Sequence, residues 1–174
     1  MSERNYQSKM QEIIEKHHRN KERPSLLLHA CCAPCASGCF ERLIDTFALT
    51  FYYYNPNITD RDEYEKRAEE LQRLRDLINA DYGTDIVCMR GPYEPERFLS
   101  MAKGLEDVPE GRERCYLCYE LRLQKTAEFA AANGYDYFAT TLTLSPLKNA
   151  AKINEIGERV GAAFTSALKY LPSD

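Results

Sequence analysis

Short runs rich in branched and aromatic residues at positions 25–30, 48–54, 85–89 and 135–141 alternate with longer stretches whose apolar residues recur at helical spacing. This alternation constrains the fold most, because strands separated by helices pair in parallel and leave both faces of the sheet to be covered. The expected architecture is α/β, a doubly wound, mostly parallel sheet whose ligands gather at the carboxyl ends of its strands. A further strand is expected at 164–168. Tyr6, Met10, Ile13, Ile14 and His17 mark an amphipathic helix ahead of the first strand, so the chain reads as an N-terminal helix over 1–23 and a single α/β domain over 24–174. A length of 174 residues is enough to bury a core without disulfide support.

Local punctuation places the other helices. Pro34 suits the first position of a helix over 34–46, where its missing N–H is harmless. Thr59 and Asp60, followed by Asp62 and Glu63, form a capping signature for a helix with the stripe Tyr64, Ala68, Leu71, Leu74 and Ile78, and Gly83 follows its end. A short helix over 94–103 and a charged loop over 106–114 lead to Cys115, and a loop of that length and polarity often serves a site. Cys115 opens a helix with the inner face Tyr119, Leu123, Ala127 and Ala130 and the stop Asn133-Gly134. Ser145-Pro146 opens the next, which carries Ile153, Ile156 and Val160 and closes at Gly161. On such a sheet Cys31, Asn55, Arg90 and Thr141 fall along one edge.

The chain has seven cysteines, no apolar leader in its first twenty residues and no apolar run long enough to span a bilayer. The expectation is a cytoplasmic protein with no membrane partner, whose thiols serve metal or redox chemistry rather than disulfides. Cys31, Cys32, Cys35 and Cys39 follow the first strand directly, where a sheet of this kind that uses ATP carries a glycine-rich phosphate loop, so no ATP chemistry is expected. A helix mouth there favours thiolate over thiol. Cys32-x-x-Cys35 and Cys115-x-x-Cys118 together are a metal signature. A zinc ribbon keeps its pairs about fifteen to twenty residues apart. Here two strands and a long helix intervene, which points to a site assembled on a pre-folded sheet. Adjacent Cys31 and Cys32 would strain to share one tetrahedral ion, whereas an iron–sulfur cluster offers separated metal corners. Cys35 and Cys39, one turn apart, face the same way. Cys35 either binds something else or acts as a resolving thiol, while Cys39 and Cys88 read as core. Cys32-Ala33-Pro34-Cys35 taken alone also fits a dithiol oxidoreductase, which the second pair makes less economical.

A formal net charge of -4 argues against gripping nucleic acid by bulk charge and leaves a local patch, Arg19, Lys21 and Arg23 with Arg112, Arg114 and Lys148. The basic run at 17–23 serves more simply to complement the dipole of the leading helix.

Four segments carry a resemblance: Leu28-His29-Ala30-Cys31-Cys32-Ala33-Pro34-Cys35, Tyr53-Tyr54-Asn55-Pro56-Asn57-Ile58, Pro109-Glu110-Gly111-Arg112-Glu113-Arg114-Cys115-Tyr116-Leu117-Cys118, and Thr140-Thr141-Leu142-Thr143-Leu144-Ser145-Pro146-Leu147-Lys148-Asn149. They resemble the cobalamin-independent epoxyqueuosine reductases, QueH. The resemblance implies an adenine-nucleotide-hydrolase-like (HUP, Rossmann-like) fold and reductive removal of the epoxide oxygen of epoxyqueuosine in the tRNA anticodon, supplied by a separate electron donor. It implies a [4Fe-4S] cluster on Cys31, Cys32, Cys115 and Cys118. It also implies a catalytic Cys35, at a position that is Asp in some relatives and is associated there with a second metal ion, iron. Tyr54, Asn55, Arg114, Thr141, Ser145 and Lys148 are then the candidates for holding nucleoside and phosphate. The family pattern runs on into a Tyr-Cys-Gly-Cys segment, and this sequence stops before it. Two other readings compete: cluster-dependent tRNA sulfur transfer, against which the missing phosphate loop counts, and a zinc-stabilised RNA-binding module.

Overall fold

A computed structural model describes residues 5–164 and 167–174. Five strands, β1 (Ser25–His29), β2 (Ala48–Tyr53), β3 (Val87–Arg90), β4 (Tyr137–Thr140) and β5 (Lys169–Tyr170), form one sheet in the order β3-β2-β1-β4-β5. Every pairing is parallel, with Leu28 opposite Phe51 on one side and Ala139 on the other. The chain winds outward from β1 in both directions, so the crevice between the ends of β1 and β4 is the switch point where such sheets take ligands.

Alternation along the strands feeds two cores. Leu26, Leu28, Phe51 and Tyr53 face one side with Met10 and Ile14 of α1 (Tyr6–Asn20), Phe40 and Leu43 of α3 (Phe40–Ile44) and Tyr64, Leu71 and Ile78 of α4 (Arg61–Tyr82). Leu27, Tyr52, Tyr54 and Phe138 face the other, against Tyr119, Leu123 and Ala127 of α6 (Glu113–Ala132) and Ile153, Ile156 and Val160 of α7 (Ala150–Ala162). Burial on both faces accounts for near-continuous apolar strands. Asp60 caps α4 by accepting the Glu63 N–H at 2.8 Å, and Gly83 ends it in the left-handed conformation, φ 63°, as the capping signature requires. The short α5 (Pro95–Ala102) lies in the connector to α6.

Several boundaries differ from expectation. The helix over 34–46 is two, α2 (Ala33–Ser37) and α3, broken at Gly38-Cys39, where Cys39 turns out of the helix at φ -133° and its thiol meets the Ala36 carbonyl at 3.5 Å. Cys35 and Cys39 therefore do not share a face. Cys39 packs on the core and lines a separate cavity of about 160 Å³ with Arg42 and Leu43. Ser145-Pro146 does not open a helix: the chain makes a 3-10 turn (Thr141–Leu144) and α7 begins only where the Asn149 side chain accepts the Lys152 N–H at 2.9 Å. Gly161 is the penultimate residue of α7 rather than the residue after it, and a side chain there would crowd the Phe138 ring. The last strand pairs with β4 at Lys169–Tyr170 instead of 164–168, a range that includes residues 165 and 166, which lie outside the described residues. His17 is buried and bonded to Glu22 and the Tyr137 hydroxyl, and His18 to Thr46, so these two histidines of the basic run hold structure. Among the described residues, no helix is long and apolar enough to cross a membrane.

Candidate metal centre

β1 ends at His29, and the next six residues deliver three thiols to the switch point. Cys32, in extended conformation, caps α2, which has only five residues and so a weak dipole. The thiol environment comes from side chains instead. The sulfurs of Cys31 and Cys32 are 3.7 Å apart and those of Cys32 and Cys35 2.9 Å, and all three lie within 4.8 Å of one another. Across the crevice, the Thr141 hydroxyl accepts the Cys31 N–H at 3.1 Å and donates to the Cys31 sulfur at 3.3 Å. Hydrogen bonds from the Cys32 and Cys35 thiols, then Arg122 and Thr141, hold the Cys31 thiol far below its ordinary range against the opposing effect of burial. Cys32 and Cys35 are pushed up, each chiefly by its bond to Cys31.

The second pair stands on the first turns of α6. Cys115 accepts the Gly111 N–H at 3.2 Å, and Cys118, buried, has Arg122 at 4.0 Å from its sulfur. Burial raises the Cys118 thiol and the guanidinium opposes the rise. One cavity of about 460 Å³ is lined by the sulfur-bearing residues of both groups, Cys31, Cys32, Cys35, Cys115 and Cys118. Soft thiolate donors suit zinc or iron–sulfur centres, and the Cys31–Cys32–Cys35 group is close enough to hold a metal ion as it stands.

Arg114, Ser145 and Lys148 line the same cavity. Arg114 donates to the Glu106 carbonyl at 2.8 Å, which ties the charged loop to the rim. The other expected contacts lie behind the cavity wall. Tyr54 is fully buried in the core against α6, with its hydroxyl on Glu94 at 2.9 Å, and burial pushes its phenol up. Asn55 is also fully buried: its amide donates to the Ala30 carbonyl at 3.1 Å and its oxygen accepts from Arg122 at 2.5 Å. It supports the cysteine loop, with its amide nitrogen and oxygen each bonded within the scaffold. Thr141 is committed to Cys31. Arg90 is at the expected edge but pairs with Glu65, outside the cavity. Beneath the loop, His29 is buried between Thr140 and the Tyr54 carbonyl, and desolvation followed by the Arg122 charge pushes it down to about 3, so it is a neutral strut.

Sequence reasoning missed Asn57, Arg67 and Arg122, which also line the cavity together with Glu110, Phe98 and Tyr119. The Asn57 side-chain oxygen is buried without a partner. Arg122 had a legible signal, because a residue four after Cys118 on one helix shares its face. The expected basic patch does not form as one surface. Arg19, Lys21 and Arg23 lead into the amino end of β1, while Arg114 and Lys148 border its carboxyl end, a strand of roughly 16 Å away.

A doubly wound parallel sheet that meets its ligand edge with thiols, and faces them with arginine and lysine, defines an α/β protein whose switch-point crevice presents a thiol group able to hold a metal ion. The family described as "Epoxyqueuosine reductase QueH" matches residues 26–174, and the chain belongs to it. It is similar to the epoxyqueuosine reductase QueH of Streptococcus pyogenes serotype M1, 41% identical over 170 residues, 98% of this chain and 66% of that protein. It is also similar to that of Staphylococcus epidermidis, 42% identical over 172 residues, 98% of this chain and 71% of the relative, and to that of Thermotoga maritima, 33% identical over 138 residues, 78% and 68%. The chain thus spans about two thirds of the length of these curated relatives.

Proposed function

We propose that the chain is the reductase its family name describes, acting on epoxyqueuosine within tRNA through a [4Fe-4S] cluster on Cys31, Cys32, Cys115 and Cys118. The single observation that carries this reading is the convergence of both cysteine groups with Arg114 and Lys148 on one cavity. The reaction consumes two electrons and two protons: both C–O bonds of the epoxide break, a C=C bond forms between the two carbons, and the oxygen leaves as water. An iron–sulfur group would supply the electrons one at a time from an external donor. Everything else falls to the protein. Arg114 and Lys148 take the backbone phosphates next to the modified nucleoside. The unpartnered Asn57 oxygen accepts a hydrogen bond from a substrate O–H or N–H, which would otherwise leave that buried acceptor unsatisfied. Cys35, surplus to four cluster ligands and in the same sulfur group, faces the epoxide and holds a second metal ion, iron.

The test is anaerobic. Reconstituted protein is reduced with dithionite and mixed with tRNA carrying epoxyqueuosine, and its nucleosides are weighed by mass spectrometry. A brown protein that yields queuosine in proportion to its iron supports the reading. A colourless protein with one zinc per chain and no queuosine overturns it.

A further inference from the structure

Among the described residues, Arg122 is a buried cation without a carboxylate partner. It is 5% exposed, and among the described residues it takes part in no ion pair with a carboxylate. Its Nη2 donates to the neutral amide of Asn55 at 2.5 Å, its Nη1 approaches the Cys118 sulfur at 4.0 Å, and its Nε is buried with no partner at all. Glu110, the one carboxylate lining the cavity, is exposed. A guanidinium stays charged in any protein environment. A desolvated charge left uncompensated is among the more destabilising features a fold can carry, so a compensating anion is expected in its surroundings. The groups that face it and can become anionic are the thiols.

We infer that Arg122 is the fixed counter-ion of the metal–thiolate group, a positioning residue whose charge favours assembly of that group and sets its potential. The assignment rests on the reading of this cavity as a metal site. Thiols that give up their protons to a divalent ion leave a net negative centre, and a buried positive charge beside it shifts that equilibrium toward binding. The same charge favours the reduced, more negative state of a redox-active centre. Arg122 is also a mechanical link. Asn55 bonds at once to Arg122 and to the Ala30 carbonyl, one residue before Cys31, so a continuous chain of contacts runs from the first cysteine group to Cys118 in the second. Its place one helical turn beyond Cys118 makes the compensation local to α6.

The decisive measurement uses metal-free protein and Co²⁺ alone, followed by thiolate-to-cobalt absorbance, so that neither cluster assembly nor turnover is needed. Arg122→Gln, with Arg122→Met as a second neutral variant, is expected to bind Co²⁺ at least tenfold more weakly than wild type. Arg122→Lys, which keeps the charge, should stay within threefold. In protein reconstituted with iron and sulfide, the neutral variants should shift the one-electron equilibrium tenfold toward the oxidised state, about 59 mV more negative. Neutral variants that bind Co²⁺ as wild type does would overturn the assignment, as would a lysine variant as weak as the neutral ones, since charge would then not be what matters. Wild-type protein that gives no cobalt–thiolate absorbance would instead sink the metal site itself, and Arg122's role with it.

Discussion

Replacing Asn55 by alanine separates a support role from a substrate role, because the two predict opposite readouts. The side chain is fully buried and makes two bonds, one to the Ala30 carbonyl and one from the Arg122 guanidinium. Losing the first leaves a buried carbonyl unsatisfied, at about 1–2 kcal/mol, and losing the second strips a partner from a buried charge, at about 2–3 kcal/mol. The expected destabilisation of Asn55→Ala is therefore about 3–5 kcal/mol. With a urea m-value of about 2 kcal/mol/M for a domain of this size, the midpoint falls by roughly 2 M while m is unchanged. The measurement is made on metal-free protein, with Ser145→Ala as the comparison, since Ser145 only lines the cavity and should move the midpoint little. The variant should also retain less iron after reconstitution, because the cysteine loop has lost its strut. A loss below about 1 kcal/mol, together with a raised KM for tRNA, would refute the reasoning and return Asn55 to the substrate.

Three further outcomes are expected. Cys35→Ala should keep most iron and visible absorbance yet lose turnover, and Cys35→Asp, which restores an anionic ligand, should recover part of it; a fully active Cys35→Ala protein ends the second-metal proposal. Charge reversal at Arg114 and Lys148 should weaken tRNA binding and make its salt dependence shallower by about one unit of slope per lost phosphate contact, whereas unchanged affinity in a filter-binding titration would move the RNA to another surface. Glu22 lies 2.8 Å from the His17 ring, and that bond holds its carboxyl below the ordinary 4.5. A depressed carboxylate contributes stability above its ordinary value and loses it as pH falls through the lowered one, so Glu22→Gln should melt below wild type near neutral pH, with the gap narrowing as pH falls below 4.5. A gap that does not narrow would refute the linkage.

The sheet was legible because parallel strands covered on both faces leave a dense apolar signature, and Leu26-Leu27-Leu28 and Phe51-Tyr52-Tyr53 carry it without interruption. The convergence of the two cysteine groups was legible from topology, since residues that follow β1 and residues that open α6 meet at the carboxyl edge once the strands are parallel. Helix limits were less legible. Pro146 looks like a helix start, yet the side chain that satisfies the first free N–H groups belongs to Asn149, and a cap outweighs a proline that merely tolerates the position. The same holds at Gly38, where the chain turns Phe40 and Leu43 into the core and packs Cys39 against it, away from the other thiols. Polar residues were the hardest to place. Asn55 and Asn57 are two positions apart in one segment, but one is spent on the scaffold and the other leaves its oxygen free, a distinction that depends on where the chain turns after β2.

The charge of the cavity runs opposite to the charge of the chain. The whole carries -4, while the cavity is lined by Arg67, Arg114, Arg122 and Lys148 against Glu110 alone. Arg67 is partly offset by Glu63 at 2.6 Å, and Arg122 is turned inward to the thiols, which leaves Arg114 and Lys148 to meet a polyanion. In the usual sheet of this topology, main-chain N–H groups of a glycine loop hold phosphate at the switch point. Here three thiols occupy that place, so the anion at the centre of the site is made by the protein itself, and phosphate must be met further out, at the rim. This arrangement suits a substrate whose phosphates flank the reacting group: under the proposed function, Arg114 and Lys148 would meet the backbone while the modified base enters toward the thiols. It also directs the mutational effects. Substitutions at the rim should act on tRNA affinity and its salt dependence, and substitutions at Arg122 or Asn55 on metal retention and fold.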